Sequence, residues 1–288
     1  MQNSLLRHIV RAIYGVYYRI YIRTSGNTFC WLFNMQARVI NAPVRMQYDS
    51  ATKLYLAKGD GRALHFKHPI QANYAYKYGI RQRAYSLARD YFIDRIDFRP
   101  GDVVVDCGAN IGDLKLYFDF ETIPVKYVAI EPSPDEFSCL ELNIKALKTA
   151  PAPAPALEAT LHNFGLWNED GKLKFFVSSD GADSSLITPA NYTGIVDVAT
   201  TRLDKLIPDQ RIKLFKLEAE GAEPEVIEGC SGILKNIEYI AADLGPERGV
   251  AGETTVVFVT NFLLRHGFEL LHLSHDRVCA LFRNKALL

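Results

Sequence analysis

The sequence predicts an α/β fold organised on a largely parallel sheet. From residue 102 onward, short β-branched runs alternate with stretches of helical spacing, the pattern of strands joined by crossover helices. A capped helix start, "SPDE" at 133–136, directly follows one of those runs. The chain also finishes in two short strand-like runs separated by a turn, which adds an antiparallel hairpin to a sheet whose faces are otherwise covered. At 288 residues, 48% hydrophobic and 23% charged, the chain has the composition of a soluble globular protein with room for one large domain and an attachment.

The attachment is expected at residues 1–77 and the main domain at 78–288. Residues 1–48 carry six arginines and no acid, so the remainder balances them with a net −6. Within 5–23, Leu6, Ile9, Val10, Ile13, Val16 and Ile20 share one side of a helical wheel, opposite Arg7, Arg11, Arg19 and Arg23. Such a helix suits an anionic membrane surface, the protein's own body or a second subunit. "KLYLAKGDGRALHFKH" (53–68) reads as a β-hairpin around Gly59-Asp60-Gly61. No run is apolar enough to span a bilayer and no cleavable leader is visible, so the expected location is cytoplasmic, peripheral to a membrane at most. Five scattered cysteines without a C-x-x-C pair exclude a disulfide framework and a zinc site, and fit a reducing compartment.

In the main domain, "YGIRQRAYSLARDYFIDRI" (78–96) has helical spacing, and "RPGD" marks the turn into the first strand, "DVVVDCG". A helix-like "IGDLKLYFDFE", the strand "KYVAIEP" and a helix from Ser133 to about Leu147 follow. "TAPAPAPALEAT" is an extended spacer. Strand signals resume in "ATLHNFGLW", "KLKFFVSS", "VDVATTRLDKLI", "IKLFKLE" and "IEYIAADLG", with helices at "AEPEVIEGCSGILKN" and "TTVVFVTNFLLRHG". "FELLHLS" and "RVCALFRN" form the closing hairpin, turning at His275-Asp276.

Ligands of open α/β sheets bind at the carboxyl ends of the strands. The first strand ends "DCGANIG", presenting Asp106, Gly108, Asn110 and Gly112. A dinucleotide fingerprint begun at Gly108 needs glycines at 110 and 113, where Asn110 and Asp113 stand, which disfavours an NAD-dependent oxidoreductase. The turn carries a carboxylate instead, suited to a cationic amino group. Glu131, nineteen residues after Gly112 at the tip of the second strand, is placed to accept hydrogen bonds from ribose hydroxyls. A ligand with an amino acid at one end, an adenosine at the other and no phosphate is S-adenosylmethionine.

"KLFKLEAEGAEPEVIEG" (213–229) starts as a core strand and ends in carboxylates. Glu218 and Glu220 alternate with apolar neighbours and are expected to face one cleft, raising each other's pKa as a general base requires. The pair is equally a candidate holder of a divalent cation such as Mg²⁺. The opposing expectation is that one of them pairs with Lys216 or caps the next helix. Glu225 and Glu228 are expected on a solvated face. Asp243, ending the next strand, is a candidate to complete the carboxylate cluster. Ser184 and Ser185 are candidates to position an acceptor, and Arg81 and Arg83 to reach the cofactor carboxylate.

With "VVVDCGANIG", "AIEPSPDEF", "DSSL", "VATTRLDKL", "KLEAEGAEPEVIEG" and "IAADLG" in this order, residues 78–284 resemble the FkbM-type S-adenosylmethionine-dependent methyltransferases. The resemblance implies a Rossmann-like class I methyltransferase sheet of order 3-2-1-4-5-7-6, with the last hairpin strand antiparallel. It implies methyl transfer, usually to an oxygen of a sugar or polyketide-type product. Asp106, Gly108, Asn110 and Gly112 would line the methionine part, Glu131 would hold the ribose, and Asn163 would lie near the adenine. The family pattern K-x-D-x-E-G-x-E appears here with Glu218 at the Asp position, and Asp243 stands where a Glu is usual. The expected partners are a small-molecule or glycan acceptor and no nucleic acid, with a homo-oligomer open. The competing reading is a non-catalytic scaffold that keeps the cofactor fold.

Overall fold

The structure, a computed structural model, describes residues 19, 21–148, 158–178, 184–275 and 277–287. Most of the expected 5–23 helix, the spacer at 149–157, part of the polar loop and Asp276 in the hairpin turn lie outside them. The chain divides into two compact units, Met1–Ile80 and Arg81–Leu288. Among the described residues no helix is long and apolar enough to cross a membrane.

The first unit packs helix α1 (Gly26–Val39) against strands β1 (Val44–Asp49), β2 (Leu54–Gly59) and β3 (Arg62–Phe66), with a short α2 (Pro69–Ala75) after them. The three strands form an antiparallel sheet in the order β1-β2-β3. The hairpin read from the sequence is β2–β3; the third strand, β1, was not foreseen. Its alternate burial, with Val44 and Met46 inside, is the pattern of a half-covered edge. Phe29, Tyr55 and Phe66 form the aromatic centre of this unit.

The second unit begins with α3 (Ile80–Asp90), which shares its first residue with the boundary. The elements that follow are β4 (Val103–Cys107), α4 (Asp113–Phe120), β5 (Lys126–Ile130), α5 (Pro134–Lys148), β6 (Glu158–His162), β7 (Gly165–Leu166), β8 (Gly171–Val177) and β9 (Gly194–Thr201). Then come α6 (Leu203–Leu206), β10 (Ile212–Leu217), α7 (Glu223–Glu228), β11 (Ile237–Asp243), α8 (Val256–Arg265), β12 (Phe268–Leu273) and β13 (Cys279–Asn284). The main sheet runs β6-β5-β4-β10-β11-β13-β12. Numbering its strands along the chain gives 3-2-1-4-5-7-6, with β13 antiparallel to both neighbours, as expected.

The central strands are largely buried: Val105, Phe215, Ile240 and Phe282 have no exposed surface. Each such side chain contributes about 1.5–3 kcal/mol of hydrophobic stabilisation. One expectation fails. "ATLHNFGLW" is not one strand: β6 stops at His162, and β7 pairs with β9 in a separate sheet of order β7-β9-β8. Asn163 makes the break, because its amide reaches back to the carbonyls of Glu131 and Pro132 instead of continuing the ladder.

Candidate active site

The carboxyl ends of β4, β5, β10 and β11 lie side by side, because all four strands are parallel neighbours. The turn after β4 holds Gly108 at φ +71°, Asn110 at +48° and Gly112 at +91°. Glycine is required at 108 for a reason the sequence does not display. A Cβ there would sit 2.1 Å from the carbonyl oxygen of Glu218, so the close approach is to the chain beyond β10. Gly112 opens α4, and a Cβ on it would press on Leu140 at 2.9 Å.

Glu131 is buried at the tip of β5. Its Oε2 accepts from the Asn110 amide and its Oε1 from the Ser133 amide, each at 2.8 Å. Burial pushes its pKa up to about 8 despite those two donors. Asp106 is equally buried, and burial raises its pKa, with Lys216 and the Tyr127 hydroxyl pulling the other way. Its Oδ2 accepts from Tyr127, while Oδ1 forms an ion pair with Lys216 Nζ at 3.2 Å. A glycine turn of left-handed backbone, a buried carboxylate entering it and a second buried acid one strand away fit the amino and ribose groups of S-adenosylmethionine. Asn163 braces the Glu131-Pro132 backbone with its amide nitrogen, so its part is to shape the tip.

Lys216 organises the centre. Its buried ammonium donates to the carbonyls of Cys107 (3.2 Å) and Gly108 (2.8 Å) and pairs with Glu218 at 2.6 Å. Burial opposes its charge, but Asp106 and Glu218 outweigh that and raise its pKa. On its other side, Glu218 receives Arg277 Nη2 at 2.8 Å, and Arg277 Nε donates to Asp243 at 2.9 Å. Tyr91, fully buried, lies under both cations, with its hydroxyl 3.4 Å from Asp243. The carboxylates at 218 and 243 are thus brought together, bridged by a guanidinium.

This geometry corrects several expectations. Burial would raise the Glu218 pKa, but Lys216 and Arg277 overcome it and hold the carboxyl down to about 2. It is a committed ion-pair partner and a weak base. Strand alternation does not extend to Glu220, because β10 ends at Leu217 and Glu220 and Gly221 turn at φ +50° and +89°. No group of three or more metal-ligating side chains exists among the described residues, and the oxygens of Glu218 and Asp243 are taken by Lys216, Arg277 and the Gly245 amide, so the residues do not fit Mg²⁺. Glu225 forms a two-toothed pair with Arg248 at 2.6 and 2.8 Å, and Glu228 accepts from Asn168 at 2.9 Å. Neither is on a solvated face. Ser185 donates to the Glu220 carbonyl at 2.7 Å and accepts from Ile187, and Ser184 accepts from Ser178, so both tie loops together. Arg83 pairs with Asp113 at 2.8 Å and Arg81 lies over the Phe120 ring.

Sequence reasoning missed Arg277, Tyr91 and Glu223, and saw Lys216 only as an alternative partner. Glu223 caps the turn after β10, accepting from the Ala219 and Gly221 amides and the Thr255 hydroxyl at 2.9–3.1 Å. The match of Lys216, Glu218 and Glu223 to the family pattern K-x-D-x-E-G-x-E was the available signal; Arg277, 59 residues from Glu218, had none.

The sheet order and the glycine turn after its first strand define a class I S-adenosylmethionine-dependent methyltransferase. The Methyltransferase FkbM domain matches residues 106–270, more than half of the chain, and the protein belongs to that family. It is 26% identical over 217 residues to the 31-O-demethyl-FK506 methyltransferase FkbM of Streptomyces tacrolimicus, covering 64% of this chain and 82% of that one. It is 27% identical over 193 residues to methyltransferase sdnD of Sordaria araneosa, covering 56% and 69%. A SAM-dependent methyltransferase of Aquifex aeolicus overlays with a TM-score of 0.41 at 10% identity, over 67% of this chain and 86% of that one.

Proposed function

We propose that this methyltransferase methylates a hydroxyl oxygen of a sugar or related natural product, with Glu247 accepting the hydroxyl proton. One observation carries the reading: a half-buried carboxylate follows the tip of β11, on the edge where the glycine turn and Glu131 lie, with no hydrogen bond or ion pair to any described residue. It lies beside Asp243. A Cβ on Gly245 would meet Asp243 Oδ1 at 3.2 Å and Glu247 Oε1 at 3.6 Å. Burial, then Asp243, Glu218 and Glu223, push its pKa up to about 8, with Arg277 opposing them. An alcohol needs its proton removed as it attacks, and a base titrating near neutrality serves that best.

S-adenosylmethionine, when bound, supplies the electrophilic methyl carbon. The chain's own part is alignment and proton transfer. Asp106, the 108–112 turn and Glu131 hold the cofactor ends, while Lys216, Glu218, Arg277 and Asp243 form a rigid charged floor. Asp243 and Glu218 act here through position and charge, and Glu220 through the turn that shapes the cleft. The name of the Streptomyces relative specifies an oxygen acceptor in that protein, which supports the same class here.

The test is methyl transfer to a panel of hydroxylated sugars and macrolides, with S-adenosylhomocysteine affinity measured in parallel. The expected product is a methyl ether, with kcat/KM rising with pH to a plateau above about 8. Glu247→Gln should keep cofactor affinity, lose the pH limb and slow transfer by about 10²–10⁴-fold. Cofactor binding without transfer to any hydroxyl would favour a scaffold, and undiminished transfer in Glu247→Gln would remove the base.

A further inference from the structure

Helix α1 is apolar on two sides. One side, with Phe29, Cys30, Phe33 and Ala37, is buried. Asn34 fixes the helix to β1, accepting from the Met46 amide at 2.7 Å and donating to the Met46 carbonyl at 2.8 Å. The other side carries Trp31, Met35 and Val39, one per turn, followed by Ile40. These are 61%, 44%, 83% and 40% exposed. Scattered apolar residues on a surface are ordinary, but a continuous stripe containing tryptophan on a pinned helix marks a contact surface.

Charge selects the occupant. Arg38, seven residues after Trp31 and three after Met35, lies on the same exposed flank in the last turn of α1, and exposed Arg23 precedes the helix. Residues 1–48 contain no carboxylate at all. An indole and aliphatic side chains along one exposed flank, with Arg38 beside them and no carboxylate in the segment, match the interface of a bilayer carrying negative headgroups. We infer that the Trp31–Met35–Val39 face of α1 docks on an anionic phospholipid surface.

The chain has two tryptophans, so Trp167→Phe leaves Trp31 as the sole reporter. The full-length protein would be mixed with phosphatidylcholine vesicles with and without phosphatidylglycerol, followed by co-sedimentation and indole emission. The expected result is sedimentation with, and a blue shift on, the phosphatidylglycerol vesicles alone, both reversed by high salt. Trp31→Ser with Val39→Ser should cut binding at least tenfold, and Arg38→Gln about fivefold. Unchanged far- and near-ultraviolet circular dichroism would show that these variants are folded. Equal binding to both vesicle types, no binding to either, or binding that survives the double substitution overturns the inference. So does a concentration-dependent doubling of mass in light scattering that Trp31→Ser abolishes, which would assign the face to a second copy.

Discussion

Replacing Lys216 by methionine removes the cation at the centre of the site while keeping most of the apolar stem. Three kinds of contact disappear: the pair with Glu218 at 2.6 Å, the approach to Asp106 at 3.2 Å, and the hydrogen bonds to the Cys107 and Gly108 carbonyls. Breaking a buried pair by removing one partner costs about 3–5 kcal/mol, chiefly because the other charge is left behind. The Glu218 carboxyl gives a second route to the magnitude. It is held at about 2, against an ordinary 4.5. At roughly 1.4 kcal/mol per pKa unit, that depression is worth about 3 kcal/mol of folding stability at neutral pH. Because the folded pKa is depressed, this stability is present above 4.5 and is lost as pH falls through about 2. In the variant Arg277 alone faces Glu218, so the depression shrinks. Urea and thermal unfolding at pH 7 should therefore show a loss of about 3–5 kcal/mol, or roughly 10 °C in midpoint. The gap should narrow as pH falls from 5 toward 2. A variant within about 1 kcal/mol of wild type at pH 7, or a gap unchanged by acid, would refute the assignment of Lys216 as the organising charge.

Glu131→Gln should weaken S-adenosylhomocysteine binding at least tenfold by calorimetry, since an acceptor for the ribose becomes a donor; undiminished affinity would place the ribose elsewhere. Glu131 also titrates at about 8 in the fold, against an ordinary 4.5. Its favourable contribution to stability is complete below 4.5 and lost as pH rises through about 8, so Glu131→Gln should flatten the decline in stability across that window. Gly108→Ala and Gly101→Ala separate strain from collision. Both glycines have positive φ, +71° and +87°, but only at 108 does a Cβ strike backbone, while at 101 nothing lies within 4 Å. Gly101→Ala should cost about 1–3 kcal/mol by denaturant unfolding, and Gly108→Ala should yield no stable fold.

The sequence by itself determined the order of the elements and, through short buried runs alternating with helices, the parallel sheet and its antiparallel final strand. It also placed the candidate cofactor residues at strand ends, where the structure has them. Asp106, the 108–112 turn and Glu131 are local to strand ends, and strand ends are legible wherever apolar runs stop. The strand β1 and the separate β7-β9-β8 sheet were hidden, because short pairings of this kind leave only weak periodicity.

What only the tertiary structure decided was the charge state of the site. Glu218 read as a base because Glu220 was expected beside it in one cleft, yet the charges beside it are Lys216, the alternative partner, and Arg277 from the final hairpin turn. Glu225 read as solvated, yet it faces Arg248 from 23 residues away. A carboxylate's pKa depends on whichever charges lie within a few ångströms of it, and β10, the loop after β11 and the final hairpin supply those charges from opposite ends of the domain. Sequence periodicity reports which side of an element is buried; only the packed sheet determines which charges are buried together.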